Sequence, residues 1–102
     1  MSGYMYILRC SDDSYYVGST RSVESRFAQH QSGRGSAYTR ERLPVVLVFC
    51  EEFESVGEAY AIEKKVQGWS RAKREALIAG RFDLLPALSK RGYRPSDHLD
   101  AD

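Results

Sequence analysis

Hydrophobic and polar positions in this chain follow two different periods, and the change between them marks its elements. Tyr4 to Cys10 is apolar and aromatic, Ser11-Asp12-Asp13-Ser14 is a cluster of turn formers, and Tyr15 to Gly18 resumes β-type residues. Together they predict a hairpin. A three-residue loop, Ser11 to Asp13 with Asp13 in the left-handed region, sets Cys10 opposite Ser14, Leu8 opposite Tyr16 and Tyr6 opposite Gly18. Side chains alternate along a strand, so Tyr6 and Tyr16 then share one face of the sheet.

Helical spacing takes over after the hairpin. Ser22 is a good N-cap for a helix through Val23 to His30, and Gly33 is placed to stop it. Val23 and Phe27 mark its core side, and Arg26 and His30, four residues apart, border that stripe at ~100° per residue. Both are expected to point along the domain surface toward the hairpin. Gly33 to Leu43 reads as a loop, followed by Pro44 and a third strand over Val45 to Cys50. Ser55-Val56-Gly57-Glu58 is a capping-box pattern opening a helix with Ala59, Ile62 and Val66 inward. Glu63 falls only ~70° from the middle of that inward sector, an odd place for a carboxylate. Trp69 and Ser70 punctuate this helix, and Ala72, Leu77 and Ile78 belong to another ending near Gly80. Phe82 to Leu88 suggests one further short turn, and Gly92 to Asp102 a polar, mobile tail. The predicted order is β-β-α-β-α-α, an α+β fold with a three-stranded antiparallel sheet flanked by helices.

Composition narrows the class. A chain of 102 residues has room for a single hydrophobic core, and 42% hydrophobic with 28% charged residues is the balance of a soluble globular protein. No apolar run approaches the ~20 residues of a membrane span, so no membrane partner is expected. The chain opens directly on a strand-like segment, without the pattern of a signal or transit peptide, and a cytoplasmic location is the resulting expectation. Cys10 and Cys50 lie in strand-like runs and not in a CxxC spacing, so both are expected as buried small hydrophobes and not as metal or redox ligands. The formal charge of +1 conceals a separation: residues 44 to 63 hold Glu51, Glu52, Glu54, Glu58 and Glu63 with no Lys or Arg, while Lys64 to Arg94 is mostly basic. That separation fits either a basic face that meets phosphates or ordinary solvated helix faces.

Tyr4-Met5-Tyr6, then Tyr16-Val17-Gly18 ten residues after Tyr6, then Arg26, His30 and Glu63 in order, resemble the GIY-YIG nuclease superfamily. The resemblance runs from about Tyr4 to Gly80 and is nearest to small bacterial proteins consisting of this domain alone. The domain is similar to the catalytic domain of the excinuclease component that makes the DNA-repair incisions. Tyr4 and Met5 stand where the family label has Gly and Ile, and Val17 stands for Ile; Tyr6, Tyr16 and Gly18 are in place. No counterpart is evident for the asparagine that some members carry after the metal-binding glutamate. The resemblance implies a nuclease domain over residues 1–85 and a partly disordered extension over 86–102.

It also implies roles. Glu63 would be the sole protein ligand of Mg²⁺ or Mn²⁺, in keeping with the oxygen preference of hard cations and the waters Mg²⁺ retains. Arg26 would sit on the scissile phosphate, its planar fork neutralising developing charge. Tyr16 is the preferred general base or water-positioning group, with Tyr6 as the second hydroxyl, on the condition that the metal or Arg26 favours the phenolate. His30 is the competing base, better poised by its intrinsic pKa, or a relay for the Tyr16 proton. Tyr38 and Arg40 could line a nucleic-acid groove, and Lys64 and Lys65 could touch flanking phosphates. Read one at a time, the tyrosines also fit sheet-core aromatics and the charged residues solvated helix faces.

The expected function is a Mg²⁺-dependent endonuclease, a hydrolase of phosphodiester bonds acting on DNA in preference to RNA. It would select structure over sequence, since no base-reading module such as a zinc finger or helix-turn-helix is evident, and would act in DNA repair or recombination. Two alternatives stand beside it: a non-catalytic nucleic-acid-binding or adaptor module, and a nuclease component that needs a protein partner.

Overall fold

The computed structural model describes residues 2–85. Within them β1 (Gly3–Arg9), β2 (Tyr15–Thr20) and β3 (Val46–Phe53) form one antiparallel sheet in the order β2-β1-β3. Four helices complete the fold: α1 (Val23–Gln31), α2 (Ala37–Arg40), α3 (Val56–Gln67) and α4 (Arg71–Ile78), with a 3-10 turn at Phe82–Leu84. The expected α+β class and strand pairing hold. The chain divides into two compact units, one through Gly68 and one from Trp69 onward.

The hairpin register is the predicted one. Asp13 has φ 68°, Cys10 N–H donates to Ser14 C=O at 2.8 Å, and Leu8 and Tyr6 face Tyr16 and Gly18. β1 is central, and Met5, Tyr6, Ile7 and Leu8 are all buried, which explains why its sequence is continuously apolar. Alternation sorts these residues onto two faces. Tyr6 and Leu8 join Cys10 and Val45 in a cluster against which Tyr16, Phe27 and Leu43 pack, so α1 covers this face. Gly3, Met5 and Ile7 point the other way, toward α3, which buries Ala59 and Val66. Gly3 permits that docking, because a Cβ there would overlap the Val56 backbone.

Three expectations need correction. The segment Gly33 to Leu43 is not simply a loop: α2 forms within it, capped by Ser36, whose hydroxyl accepts from Thr39 N–H at 3.1 Å. Four residues are too few to show a helical period. The third strand runs on to Phe53, and its pairing with β1 shifts between Ile7 and Leu8. Cys10 is buried, whereas Cys50 is exposed. Cys50 pairs with Tyr6 on the α1 face, but the covering side chains Phe27 and His30 reach β1 and β2 and leave the outer strand β3 at the margin.

The predicted caps are present: Ser22 accepts from Ser25 N–H at 3.4 Å and Ser55 from Glu58 N–H at 3.0 Å. The Glu58 carboxylate reaches back to Glu54 N–H at 3.2 Å, closing the box one residue earlier than the standard pattern. In the second unit Ser70 caps α4 through Lys73 N–H at 3.2 Å, and Lys73 Nζ lies 4.5 Å over the Trp69 ring. The expected extension over 86–102 and the tail from Gly92 lie outside the described residues. Among the described residues no helix is long and apolar enough to cross a membrane.

Gly3→Ala should force the N-terminus of α3 away from the sheet. The expected loss, read from urea unfolding, is roughly 1–3 kcal/mol, the scale of overpacking in a close-packed core. Unchanged stability would show that α3 can slide on β1 without penalty.

Candidate active site

Tyr6 is placed by the central strand and Tyr16 by the hairpin register, and their ring centroids lie 6.4 Å apart. Gly18 makes room between them: a Cβ there would stand 2.5 Å from the Tyr6 hydroxyl. From α1, His30 enters the core completely buried, with Nε2 2.9 Å from the Tyr6 hydroxyl. The expectation that His30 borders the core stripe and points along the surface is therefore corrected. A polar ring becomes tolerable in that position because both of its nitrogens are bonded. The second bond joins Nδ1 to Thr39 Oγ1 at 2.8 Å. The His30 ring also meets Tyr16 edge-on, with centroids 5.0 Å apart.

Arg26, one turn before His30, is half-buried. Its Nη1 donates to Gln29 Oε1 at 2.9 Å and its Nη2 to Gly35 C=O at 3.1 Å. These bonds fix the guanidinium plane beside the hydroxyls of Tyr6 and Tyr16. Burial opposes the Arg26 charge, but the two hydroxyls favour it more, and its pKa rises. Burial pushes the Tyr6 hydroxyl up to about 12, although Arg26 works to lower it. Burial, followed by the positive charge of Arg26, pulls His30 down to about 4. At neutral pH both Tyr6 and His30 are therefore uncharged.

Glu63 approaches from the other side of the sheet. Its Oε1 accepts from Ser19 Oγ at 2.6 Å, and Ser19 faces Met5, opposite in direction to Tyr6. The five candidate side chains therefore do not all lie on one face of the sheet. Tyr6, Tyr16, Arg26 and His30 gather on the α1 face, and Glu63 reaches the edge strand β2 from the α3 face. It is still near enough to contribute to the raised Tyr6 pKa. The inward bearing read from the helical wheel is correct, since Glu63 is 8% exposed.

Gln67, one turn after Glu63, donates to Glu63 Oε2 at 2.7 Å and to Val17 C=O at 3.2 Å. Ser19 and Gln67 therefore orient the carboxylate. Each of its oxygens keeps a lone pair beyond these bonds, which suits coordination of a hard cation. Among the described residues no group of three or more His, Cys, Asp and Glu could hold a metal, so a cation here would have one carboxylate and otherwise water or phosphate oxygens. Lys64 Nζ lies 3.8 Å from Glu63 Oε2 and 4.9 Å over the Tyr60 ring; its exposed side chain can rotate aside.

The remaining sequence candidates separate. Tyr38 stacks on Tyr16 with centroids 6.2 Å apart and carries the Arg42 guanidinium 3.8 Å over its ring, so it braces the site. The Arg40 side chain lies alongside Gly33, and Lys65 is exposed on α3. An open cavity of about 490 Å³ begins at Arg26 and is lined further by Ala28, Gln29, Ser32 and Arg34. Among the described residues no carboxylate lines it. Sequence reasoning missed Ser19, Gln67 and Thr39; only Thr39 left a signal, the Ser36 cap three residues before it.

This arrangement has relatives. A model of the GIY-YIG catalytic domain matches residues 2–76. The chain belongs to the GIY-YIG family. Similar proteins include the UPF0213 protein of Natronomonas pharaonis, 46% identical over 76 residues and covering 74% of this chain and 89% of that one. The UPF0213 protein of Staphylococcus haemolyticus is 44% identical over 78 residues, covering 76% and 95%. Among solved structures, the solution NMR structure of a UPF0213 protein from Bacillus halodurans is 43% identical with TM-score 0.52, over 79% of this chain and 86% of that one. The GIY-YIG domain places this chain in a nuclease family, and its fold agrees with that of these small relatives.

The buried histidine gives this GIY-YIG domain a measurable pH dependence. Because the folded pKa of His30, about 4, lies below its ordinary 6.5, the unfolded chain takes up the proton first as pH falls. The corresponding stability is complete above the unfolded pKa and is lost toward the folded one, by about 3 kcal/mol. Urea unfolding at pH 7 and pH 4 should show a drop larger in the parent than in His30→Gln by that order. Equal drops would mean that His30 titrates normally in the fold.

Proposed function

We propose that this chain is a divalent-metal-dependent endonuclease that hydrolyses DNA phosphodiester bonds, chosen by strand structure rather than base sequence, in repair or recombination. The observation that carries the reading is the 2.9 Å contact between the Tyr6 hydroxyl and His30 Nε2, with the Arg26 cation beside it. A phenol near pKa 12 is not ionised in advance. It can serve as a base only if its own proton leaves as another arrives, and His30 Nε2 is the acceptor in place.

In the proposed reaction the attacking water passes a proton to the Tyr6 oxygen as the Tyr6 proton moves to His30 Nε2. The new P–O bond forms on the side opposite the leaving oxygen as the bond to that oxygen breaks, and the departing oxygen takes a proton from solvent. Arg26 faces the phosphate and balances the charge that accumulates on its oxygens. Tyr16, half-buried and braced by Tyr38, orients the water or the phosphate. This assigns the base to Tyr6, and the hydrogen bond to His30 is the reason for choosing it over Tyr16. Glu63 would hold Mg²⁺ or Mn²⁺, which would supply Lewis-acid stabilisation of the developing negative charge. Flanking phosphates would follow the cavity from Arg26 toward Arg34, with Arg40 and Lys64 as further contacts and Lys65 at the periphery.

A panel of single-stranded, duplex, flapped and branched DNA with Mg²⁺, with and without chelator, tests the activity. Cleavage of branched or flapped DNA that stops with chelator is the expected result, whereas binding without any cleavage would favour a non-catalytic module. Arg26→Ala should slow single turnover by roughly 10² or more and weaken binding far less. Glu63→Gln should abolish the Mg²⁺-dependent reaction. Tyr6→Phe should lose more activity than Tyr16→Phe, and the reverse order would return the base to Tyr16.

A further inference from the structure

The hydrogen-bonded file that begins at Tyr6 does not end at His30. Thr39 Oγ1, bonded to His30 Nδ1, lies 3.0 Å from Ser36 Oγ and 3.4 Å from Ser36 C=O. A neutral imidazole holds one proton, and the partner of one ring nitrogen decides what the other can do. Two arrangements are compatible with the positions of the heavy atoms.

In the first, Tyr6 O–H donates to Nε2, Nδ1–H donates to Thr39, and Thr39 O–H donates to Ser36. Every proton has an acceptor. In the second, Thr39 donates to Nδ1 and Nε2–H donates to the Tyr6 oxygen, so the Tyr6 proton needs an acceptor elsewhere. The neighbouring guanidinium of Arg26 offers only donors. Tyr6 is 2% exposed, so before a substrate and its attacking water are in place there is little solvent to receive its hydroxyl proton. The second arrangement therefore strands a donor in the core, a configuration native proteins avoid.

We propose that Thr39 is a positioning residue: its hydroxyl holds His30 as the Nδ1-protonated tautomer, so that Nε2 is the proton acceptor facing Tyr6. The local sequence is built for this. Ser36 caps α2 through Thr39 N–H, which fixes the turn that presents the threonine. Gly35 has no Cβ to collide with the His30 ring, so the backbone before that turn can lie directly against it. Thr39 is itself fully buried, so its hydroxyl does not exchange this partner for water. The consequence for catalysis rests on the nuclease reading above, whereas the tautomer does not.

The test separates the two. Long-range ¹H–¹⁵N correlation spectra of the imidazole report which ring nitrogen bears hydrogen, with no need for substrate. The parent and Thr39→Ser should show a proton on Nδ1 and a bare Nε2 for His30, whereas Thr39→Val should lose that single tautomer. In single-turnover cleavage Thr39→Val should fall by roughly 10² or more, the scale of a general acid–base contribution, with Thr39→Ser near the parent. A proton on Nε2 in the parent would overturn the proposal, and this measurement holds even if Thr39→Val does not fold. A folded Thr39→Val that keeps the parental tautomer would overturn it as well. So would a changed tautomer with an unchanged cleavage rate. If the parent cuts no nucleic acid, the nuclease reading fails and the ring spectra alone decide the role of Thr39.

Discussion

A buried hydrogen bond between a tyrosine on the central strand and a histidine on the helix above it constrains the rest of this domain. Two polar rings this deeply buried satisfy each other, because little solvent is at hand to do so. Tyr6 and His30 meet that requirement, and Thr39 satisfies the nitrogen that Tyr6 does not reach. The geometry demands space, and two glycines provide it: Gly18 beneath the Tyr6 hydroxyl and Gly35 against the His30 ring. Residues from β1, β2, α1 and the α2 turn are thereby fixed around one pair of side chains.

Charge is kept apart by the same construction. The cation and the anion of the site, Arg26 and Glu63, are not tied to each other: Gln29 and Gly35 hold the first, and Ser19 and Gln67 hold the second, beside the exposed Lys64. A direct ion pair would satisfy both and leave neither for a ligand. In the proposed reaction this separation would leave the arginine for a phosphate and the carboxylate for a cation. The depressed basicity of His30 and the raised pKa of Tyr6 follow from the same enclosure, since burial is the first cause of each.

Much of this is legible in the sequence. The turn residues at Ser11 to Asp13 specify the hairpin register, and register alone puts Tyr6 and Tyr16 on one face. The caps at Ser22 and Ser55 and the inward bearing of Glu63 follow from local chemistry and helical period. What escapes depends on the third dimension. Helical spacing puts Arg26 and His30 side by side but does not give their depth, which is set by the tyrosine below and the α2 turn above. Nor can period reveal that α1 and α3 lie on opposite faces, and hence that Glu63 meets Ser19 and not the tyrosines directly. Cys50 departs from expectation for a related reason: strand alternation gives its face but not how far across the sheet the helix extends.

The position of β2 at the end of the sheet has a consequence for assembly. An outer strand is normally an invitation to another chain, which can continue the ladder by pairing with its main-chain groups. Here the carbonyl of Val17 is already engaged by the Gln67 side chain, and Glu63 stands against Ser19 on the same strand. A neighbour that added a strand at this border would have to displace that amide. The side-chain amide that orients the carboxylate therefore also occupies a main-chain acceptor that an added strand would need at that border.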